Sequence, residues 1–264
     1  MTLAGASMDA QHLVITQFSS TAENYFESKV HAQGNDLLNL IDMVKKSSPH
    51  RLLDLGCGPG HVSLNLSSHV KEIIAYDLSE VMLSILQRVA KERQLSNITC
   101  QKGSAEKLPF PDEYFDVIVT RFSAHHWLSL QDALLEMKRV LNPQGTIIIV
   151  DVTAPSVALC DTALQTMEIL RDASHVRDYS LREWNRMLEE ATLFVSNQTQ
   201  WKLPIEFESW VKRINTPINR IQALKDVIDV FPNEVREYFK FDTTYSFEFD
   251  VTWFEVQKNV HLSK

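Results

Sequence analysis

Between about residue 50 and residue 152, short apolar runs alternate with longer segments in which apolar residues recur at helical spacing. Each apolar run has the length of a strand, and each longer segment predicts a helix. Strands separated by helices are typical of a parallel sheet with helical crossovers, which indicates an α/β fold. The pattern predicts five strands, at residues 52–55, 72–77, 98–101, 115–120 and 145–152, and two helices, at residues 79–94 and 130–141.

Outside this region the periodicity is mainly helical. A Ser-x-x-Glu capping box begins at Ser180, and it predicts the start of a helix. We expect the N-terminal helix and the segment 207–241 to cover the ligand crevice, because insertions at the carboxyl edge of such a sheet lie over that crevice. The flanks predict helices at 20–46, 156–170 and 207–241, and strands at 194–203 and 243–257.

Composition limits the size and the partners of the chain. Its 264 residues, of which 44% are hydrophobic and 23% charged, suffice for one α/β domain with insertions. The formal net charge of -8 disfavours a protein that binds by neutralising phosphates. We therefore expect no nucleic-acid partner.

The cysteines and the N-terminus bear on the cellular compartment. Cys57, Cys100 and Cys160 are far apart and lack metal-ligand spacing, so they indicate neither a disulfide framework nor a zinc site. The N-terminus lacks the charged start and long apolar core of a signal peptide, and no apolar run is long enough to cross a bilayer. We expect a soluble, cytoplasmic protein without a membrane span or a metal.

The strongest functional signal is a glycine loop directly after the first strand. Gly56, Gly58 and Gly60 follow Asp54 within six residues, which predicts a turn that needs positive φ or close approach of a ligand. A dinucleotide fingerprint is spaced GxGxxG, whereas this loop is spaced GxGxG. The acid before the glycines would repel a pyrophosphate but suits a cationic ligand.

S-adenosylmethionine is a ligand of that kind, with a sulfonium, an ammonium and a carboxylate on an adenosine. Asp54 can favour its positive end, while loop amides and the following helix N-terminus accept its carboxylate. Asp77 ends the second strand about twenty residues further on, where doubly wound folds place the acid that binds ribose hydroxyls. The two acids and the loop together predict a site for a cationic adenosine.

With these motifs the sequence resembles class I S-adenosylmethionine-dependent methyltransferases of type 11, in the branch similar to the ubiquinone and menaquinone biosynthesis C-methyltransferases. The resemblance spans about residues 51–152. It implies a doubly wound, mostly parallel seven-stranded sheet with helices on both faces and an antiparallel last strand. It divides the chain into an N-terminal helical lid at 1–48, a cofactor-binding core at 49–153, and a remainder at 154–264 that includes a cover of about 206–241.

The resemblance also implies which residues bind S-adenosylmethionine. At Gly103–Glu106 the family usually has Gly-Asp-Ala-Glu, with the Asp on the adenine amino group, but this chain has Ser104. A hydroxyl can still accept a hydrogen bond, although without the charge that strengthens it, and a simple turn is the alternative. The implied cofactor-binding residues are Asp54, Gly56, Cys57, Gly58, Gly60, Asp77, Leu78, Met82, Ser104, Ala105, Glu106, Arg121 and Phe122.

Candidate catalytic residues follow the fourth strand, where the methyl group should emerge. His125 and His126 can remove a proton near neutral pH, and His126 is favoured because it adjoins Trp127. The alternative is that these histidines cap a helix, pack beside adenine or satisfy a carbonyl. Arg121 either acts on a substrate anion or the cofactor carboxylate, or forms a structural ion pair.

The same segment argues against nucleic-acid methylation, because the Asp/Asn-Pro-Pro-Tyr motif that stacks an extruded base is absent from the sequence. Other aromatic and polar residues are candidates for the acceptor pocket. The stretch from Arg171 to Tyr179 could instead be a solvated loop with ordinary ion pairs. The candidate substrate-binding residues are Tyr25, His31, His126, Trp127, Arg177 and Tyr179.

The predicted activity is transfer of a methyl group from S-adenosylmethionine, by in-line displacement, to a small molecule such as a quinone precursor or another metabolite. No protein nucleophile is required, since the protein aligns the reactants and excludes water. One alternative is a catalytically silent S-adenosylmethionine-binding or interaction protein. Another is a nicotinamide-dependent oxidoreductase, but its loop should be spaced GxGxxG.

Overall fold

The computed structural model describes residues 9–26 and 34–258, and its centre is one seven-stranded sheet. Strands β1 to β5 carry the alternating part of the chain, and β6 and β7 complete one edge. The strands are β1 (Arg51–Leu55), β2 (Glu72–Asp77), β3 (Ile98–Lys102), β4 (Phe115–Arg121), β5 (Leu141–Val152), β6 (Leu193–Ile205) and β7 (Phe247–Lys258).

Helices cover both faces of the sheet. Three precede β1, two lie among the parallel strands β1 to β3, one joins β4 to β5, and the rest follow β5. They are α1 (Ala10–Ser19), α2 (Ala22–Phe26), α3 (Asn35–Ser47), α4 (His61–Leu66), α5 (Glu80–Glu92), α6 (Leu130–Val140), α7 (Ala158–Arg171), α8 (Leu181–Glu190), α9 (Phe207–Arg213), α10 (Ile218–Asp229) and α11 (Asn233–Phe239). None of the helices in the described ranges has the length and apolar character needed to cross a membrane.

The strand order is β3-β2-β1-β4-β5-β7-β6, which confirms the predicted doubly wound sheet. Strands β1 to β5 are parallel, while β7 is antiparallel to both β5 and β6. Strand β1 pairs with β2 on one side and with β4 on the other, so the chain order reverses between β1 and β4. Ligands of such sheets bind outside the carboxyl ends of the strands at this reversal.

The middle strands are buried on both faces, which explains their continuous apolar sequences. In β1, Leu52 packs into the cluster formed with α3, α7 and α9 to α11, whereas Leu53 packs into the cluster formed with α6 and α8. Both side chains are fully buried. Because successive residues of a strand point to opposite faces, one apolar run supplies both cores.

The N-terminal region differs from the single helix predicted at 20–46. The described residues form α1, α2 and α3, and Gly34 before α3 is extended, with φ -67° and ψ 144°. An extended residue cannot continue a helix, so the prediction was wrong. Helix α1 was missed although Asp9 is a recognisable N-cap, whose side chain accepts the amide of His12.

Two strands also begin elsewhere than predicted. Strand β5 begins at Leu141, which pairs with Phe115, and residues 142–145 bulge before the pairing resumes at Thr146. Strand β7 begins at Phe247 rather than at residue 243. Residues 242–246 form a turn, because the Asp242 carboxylate accepts the amides of Thr244 and Ser246.

The predicted capping box at the start of α8 is confirmed, since Ser180 Oγ accepts the Glu183 amide and Glu183 Oε2 accepts the Ser180 amide. Ser180→Ala removes the hydrogen bond from the Glu183 amide to Ser180 Oγ. We expect it to lower the free energy of unfolding by about 1 kcal/mol. Urea unfolding measures the change. The matched control is Ser84→Ala on the exposed side of α5, which should not destabilise because alanine favours a helix.

Candidate active site

A cleft of about 1070 Å³, part of it open to solvent, lies at the carboxyl ends of β1, β2 and β4. Helices α1 and α2 form one side, and the loops after β1, β2, β3 and β4 form the rest. The cleft brings together every predicted cofactor-binding residue except Gly60.

The glycine loop has the backbone that its sequence requires. Gly56, Gly58 and Gly60 have φ of 71°, 50° and 92°, in the left-handed region. A Cβ at Gly60 would collide with the Leu86 side chain of α5. Gly60 therefore allows α4 to begin against α5, and it acts on the site through packing rather than by lining the cleft.

Asp77 holds the glycine loop in place. Its Oδ2 accepts the Gly58 amide and its Oδ1 accepts the Ser79 amide, both at 2.8 Å. Burial raises the pKa of this carboxyl although these amides oppose the shift. Each oxygen keeps a lone pair for a further donor. The carboxylate therefore both fixes the loop and can accept hydroxyl groups of a ligand.

Asp54 is the most buried acid of the cleft, with 2% of its surface exposed. Its Oδ2 accepts the amide of Ser63 at 3.0 Å and the Ser63 hydroxyl at 2.6 Å. Burial, with a smaller contribution from Asp77, raises its pKa to about 7 against these hydrogen bonds. A buried carboxyl with this pKa favours a cationic ligand, which lowers the free energy of its charged form.

The loop after β3 is tied to the start of α6. The Ser104 hydroxyl donates to the Glu106 carboxylate, and Glu106 Oε1 accepts the Leu128 amide at 2.9 Å. The turn role of Ser104 is therefore present in the structure. Its hydroxyl oxygen can still accept a hydrogen bond, so the adenine contact stays a prediction.

Arg121 forms a buried ion pair with Asp36 of α3. Its Nε lies 2.5 Å from Asp36 Oδ2, and the two side chains are 5% and 6% exposed. Phe122 follows with a positive φ of 51°, an uncommon conformation for an aromatic residue, and its ring lies 4.9 Å from the guanidinium. The pair ties the end of β4 to α3. This agrees with the structural alternative for Arg121, which also lines the cleft.

The two histidines have different surroundings. His126 lines the cleft and meets the edge of the Phe18 ring at a centroid distance of 4.7 Å. His125 lies outside the cleft lining, with its Nδ1 2.6 Å from Asp151 Oδ1. The only candidate base of this pair that reaches the cleft is therefore His126.

Charge distinguishes the histidines further. Burial acts against the charged form of His125, but the Asp151 carboxylate outweighs it and raises the His125 pKa to about 9. Burial and the neighbouring His125 charge lower the pKa of His126. At neutral pH the pair is a buried imidazolium beside a neutral imidazole.

The segment after α7 is not a solvated loop. Asp172, His175 and Asp178 are buried, and the amides of Val176 and Arg177 donate to the His125 carbonyl. The solvated-loop interpretation was therefore wrong. Segment 172–178 instead packs against His125 and His126 and hydrogen-bonds to both.

Arg177 and Tyr179 do not reach the cleft. Arg177 forms ion pairs with Asp161 and Glu183, and Tyr179 packs against the Trp184 ring at 6.0 Å. Their prediction as substrate-binding residues is not supported. Asp161 and Glu183, the glutamate of the capping box, hold the Arg177 guanidinium outside the cleft lining.

The other predicted acceptor residues lie at the cleft, except that His31 falls outside the described residues. Tyr25 lines it and receives a hydrogen bond from Arg171 Nη2 at 3.5 Å, while Trp127 lines it and donates to Ser123. The sequence missed Gln11 and Val14 because α1 was missed. It also missed Asp151 and Asp172. Of these, Asp151 had a signal in the sequence, because it is an acid near the end of the apolar strand β5.

Comparisons with known proteins agree with this geometry. A family model described as a methyltransferase domain matches residues 53–149. The uncharacterized methyltransferase YcgJ of Bacillus subtilis is 38% identical over 224 residues, or 85% of this chain and 88% of YcgJ. The uncharacterized protein YafE of Escherichia coli is 41% identical over 203 residues, or 77% of this chain and 98% of YafE.

Solved structures show the same fold. The crystal structure of YcgJ superposes with a TM-score of 0.77 at 32% identity, covering 84% of this chain and 99% of that one. A putative methyltransferase from Bacillus halodurans superposes with a TM-score of 0.82 at 30% identity, covering 85% of this chain and 99% of that one.

A shorter sequence match is to the ubiquinone/menaquinone biosynthesis C-methyltransferase UbiE of Azotobacter vinelandii. It is 35% identical over 114 residues, which are 42% of this chain and 45% of UbiE.

The fold and the site define an S-adenosylmethionine-dependent methyltransferase. The chain belongs to this family, as its identity to YcgJ over most of both chains shows. The residues present fit the cofactor, because a buried acid suited to a cation and a second acid with free lone pairs line one cleft.

The pKa of Asp54 makes cofactor binding depend on pH. Without ligand, Asp54 takes up a proton as the pH falls below about 7, and the neutral form no longer attracts the sulfonium or the ammonium. Binding of S-adenosylmethionine below this pH releases a proton, so its affinity should weaken by up to about tenfold for each pH unit of acidification. Calorimetric titration in buffers of different ionisation enthalpy measures both quantities.

Asp54→Asn provides the control, since it keeps the shape and removes the charge. We expect its affinity to be about 10- to 100-fold weaker at neutral pH, as for loss of a charged hydrogen-bonding group. The remaining pH dependence of the variant belongs to the ligand itself. An equal pH dependence in both proteins would contradict the role of Asp54.

The ion pair between Arg121 and Asp36 should be strongly coupled. Arg121→Met leaves a buried carboxylate uncompensated, which costs about 3–5 kcal/mol of unfolding free energy. The double variant with Asp36→Asn should be more stable than the sum of the single changes predicts, by about 1–3 kcal/mol. Urea unfolding of the four proteins measures the coupling, and simple additivity would show that the pair is not structural.

Proposed function

We propose that the protein transfers a methyl group to a small-molecule acceptor bound beside the cofactor in the same cleft. One observation carries the proposal. The rings of Phe18, Tyr25, His126 and Trp127 line the cleft that also contains the cofactor acids. Aromatic walls with a few polar groups are typical of sites for small organic molecules.

The chain itself holds and encloses the reactants. S-adenosylmethionine, when bound, supplies a methyl group activated by the sulfonium. Asp54 compensates its positive charge, and Asp77 accepts hydroxyl groups while it fixes the loop. Helices α1 and α2, which belong to the predicted lid, contact the rest of the protein through polar side chains. Gln17 donates to the Ile214 carbonyl, and Asn24 donates to the Arg213 carbonyl.

Helices α9 to α11 contribute indirectly to this enclosure. Their described residues lie outside the cleft lining, and they pack on α7 and β7. The turn after α9 receives the hydrogen bonds from α1 and α2. The insertion therefore supports the lid helices, and exclusion of water favours the displacement. The division into lid, core and cover and the cytoplasmic location stay predictions.

The cleft favours an acceptor with an apolar or aromatic body. The guanidinium of Arg121 is paired with Asp36, and that of Arg171 interacts with Glu168 and Tyr25. A strongly anionic acceptor would compete with these partners. A quinone precursor has a suitable body, but the match to UbiE spans less than half of either chain, so the quinone hypothesis is the narrower form of the proposal.

Purified protein, methyl-labelled S-adenosylmethionine and a protein-free small-molecule extract of Escherichia coli test the proposal. We expect label to enter a small molecule that liquid chromatography and mass spectrometry identify. Quinol precursors added singly test the narrower form. The variant Asp54→Asn, which should bind the donor weakly, controls for labelling by traces of other enzymes.

A purified protein that binds the donor and labels nothing in the extract would contradict methyl transfer. It would favour the alternative, a catalytically silent S-adenosylmethionine-binding protein. Label found only on protein would contradict a small-molecule acceptor while leaving the enzyme class intact.

A further inference from the structure

The hydrogen bonds of His126 determine which ring nitrogen carries its proton. Nδ1 lies 3.3 Å from the Ser174 carbonyl oxygen, which can only accept, so Nδ1 donates. Because the ring is neutral, Nε2 then has a free lone pair. The cleft-lining histidine therefore offers an acceptor, as a general base requires.

Asp172 lies near this nitrogen. Its Oδ1 accepts the amide and the hydroxyl of Ser174, at 2.8 and 2.6 Å. Its Oδ2 is buried, accepts no hydrogen bond within the described part of the chain, and lies 3.9 Å from His126 Nε2. A buried carboxylate oxygen without a donor is costly, so Asp172, which already interacts with the Arg171 charge, would gain from a further positive charge close to Oδ2.

Protonation of His126 would supply that charge. Nε2 and Oδ2 are too far apart for a direct hydrogen bond, so Asp172 does not occupy the lone pair of Nε2. An imidazolium at His126 would gain the Asp172 carboxylate as its counter-ion at 3.9 Å. The same carboxylate is held in place by Ser174, so it does not need to reorganise when the proton arrives.

The neighbours of His126 set how strongly it holds a proton. The groups that face it are the imidazolium of His125, which opposes a second positive charge, Asp151 and Asp172, which favour it, and Tyr25 and His175 at the edges of the cluster. Burial, together with the His125 charge, lowers the pKa of His126 more than the two carboxylates raise it, and this keeps the ring neutral before reaction. A base that starts neutral is ready to accept a proton.

We propose that His126 is the general base of the methyl transfer and that Asp172 is the positioning residue that stabilises its protonated form. The inference rests on the proposed function. The acceptor's O–H or N–H bond breaks and its proton passes to His126 Nε2. The new bond joins the acceptor atom to the methyl carbon, and the electron pair of the methyl–sulfur bond stays on sulfur.

Asp172→Asn tests this pairing with little change in shape. Oδ1 can keep both Ser174 contacts, but the new amide group carries no charge that could stabilise an imidazolium. With the acceptor that the labelled-donor screen identifies, we expect kcat to fall by about 100-fold, the scale of general-base catalysis. The dissociation constant for S-adenosylhomocysteine should stay within about threefold, because Asp172 lies outside the cleft lining.

His125→Gln provides a variant with a different signature. Loss of the His125 charge should raise the pKa of His126, so that the acidic limb of kcat at saturating donor moves to higher pH. Asp172→Asn should move the His126 pKa and this limb in the opposite direction. A purely structural role of Asp172 would not shift the two profiles in opposite senses. Asp132→Asn, at an exposed position of α6, is the surface control.

Nitrogen NMR of labelled histidine decides the pairing independently of any acceptor. We expect the wild-type resonance of His126 Nε2 at neutral pH to be that of an unprotonated nitrogen, and we expect the His126 pKa to be lower in Asp172→Asn because the carboxylate charge is lost. A proton on Nε2, or an Asp172→Asn variant with wild-type kcat, would overturn the inference. If no acceptor is labelled, the proposed function fails, while the NMR measurement still accepts or rejects the pair.

Discussion

The carboxylate of Asp77 joins three parts of the fold where the chain order of the sheet reverses. It ends β2, holds the amide of Gly58 in the loop after β1, and holds the amide of Ser79 at the start of α5. Without these two hydrogen bonds, a loop of three glycines at positive φ would have many conformations of similar energy. The cleft depends on this one half-buried acid, because the loop forms the floor of the cleft and the positions of α4 and α5 follow from the loop.

Charge is balanced around the cleft by pairing rather than by solvent. Arg121 is neutralised by Asp36 and His125 by Asp151, which leaves Asp54 as a buried acid whose charged form a cationic ligand stabilises. A low dielectric strengthens each of these interactions. The part of the cleft that contains Asp54 is therefore suited to a cation, while the part that contains His126 has a neutral imidazole and aromatic rings. These two halves match a reaction in which positive charge leaves the donor.

The sequence predicted the sheet well because the inner parallel strands β1, β2, β4 and β5 contain apolar runs that are buried on both faces. Two helix starts were equally readable, since Ser79 and Ser180 each accept the backbone amide three residues further along the chain. The errors of prediction arose where the structure depends on contacts between residues that are far apart in the sequence. Gly34 interrupts the predicted N-terminal helix, and the stretch around His175 appears polar in sequence yet is buried against His125.

By itself, the sequence determined that the sheet is doubly wound and which residues form the cofactor side of the cleft. The reason is that the glycine loop and the two acids depend on local backbone geometry at strand ends. The tertiary structure decided which histidine lines the cleft, that Asp172 lies near it, and that Arg177 is held by other partners. These relations join residues that are 6 to 48 positions apart, and packing of α7 and the segment after it against the sheet sets them. No local pattern specifies such packing, since many arrangements of the same helices are compatible with the same periodicity.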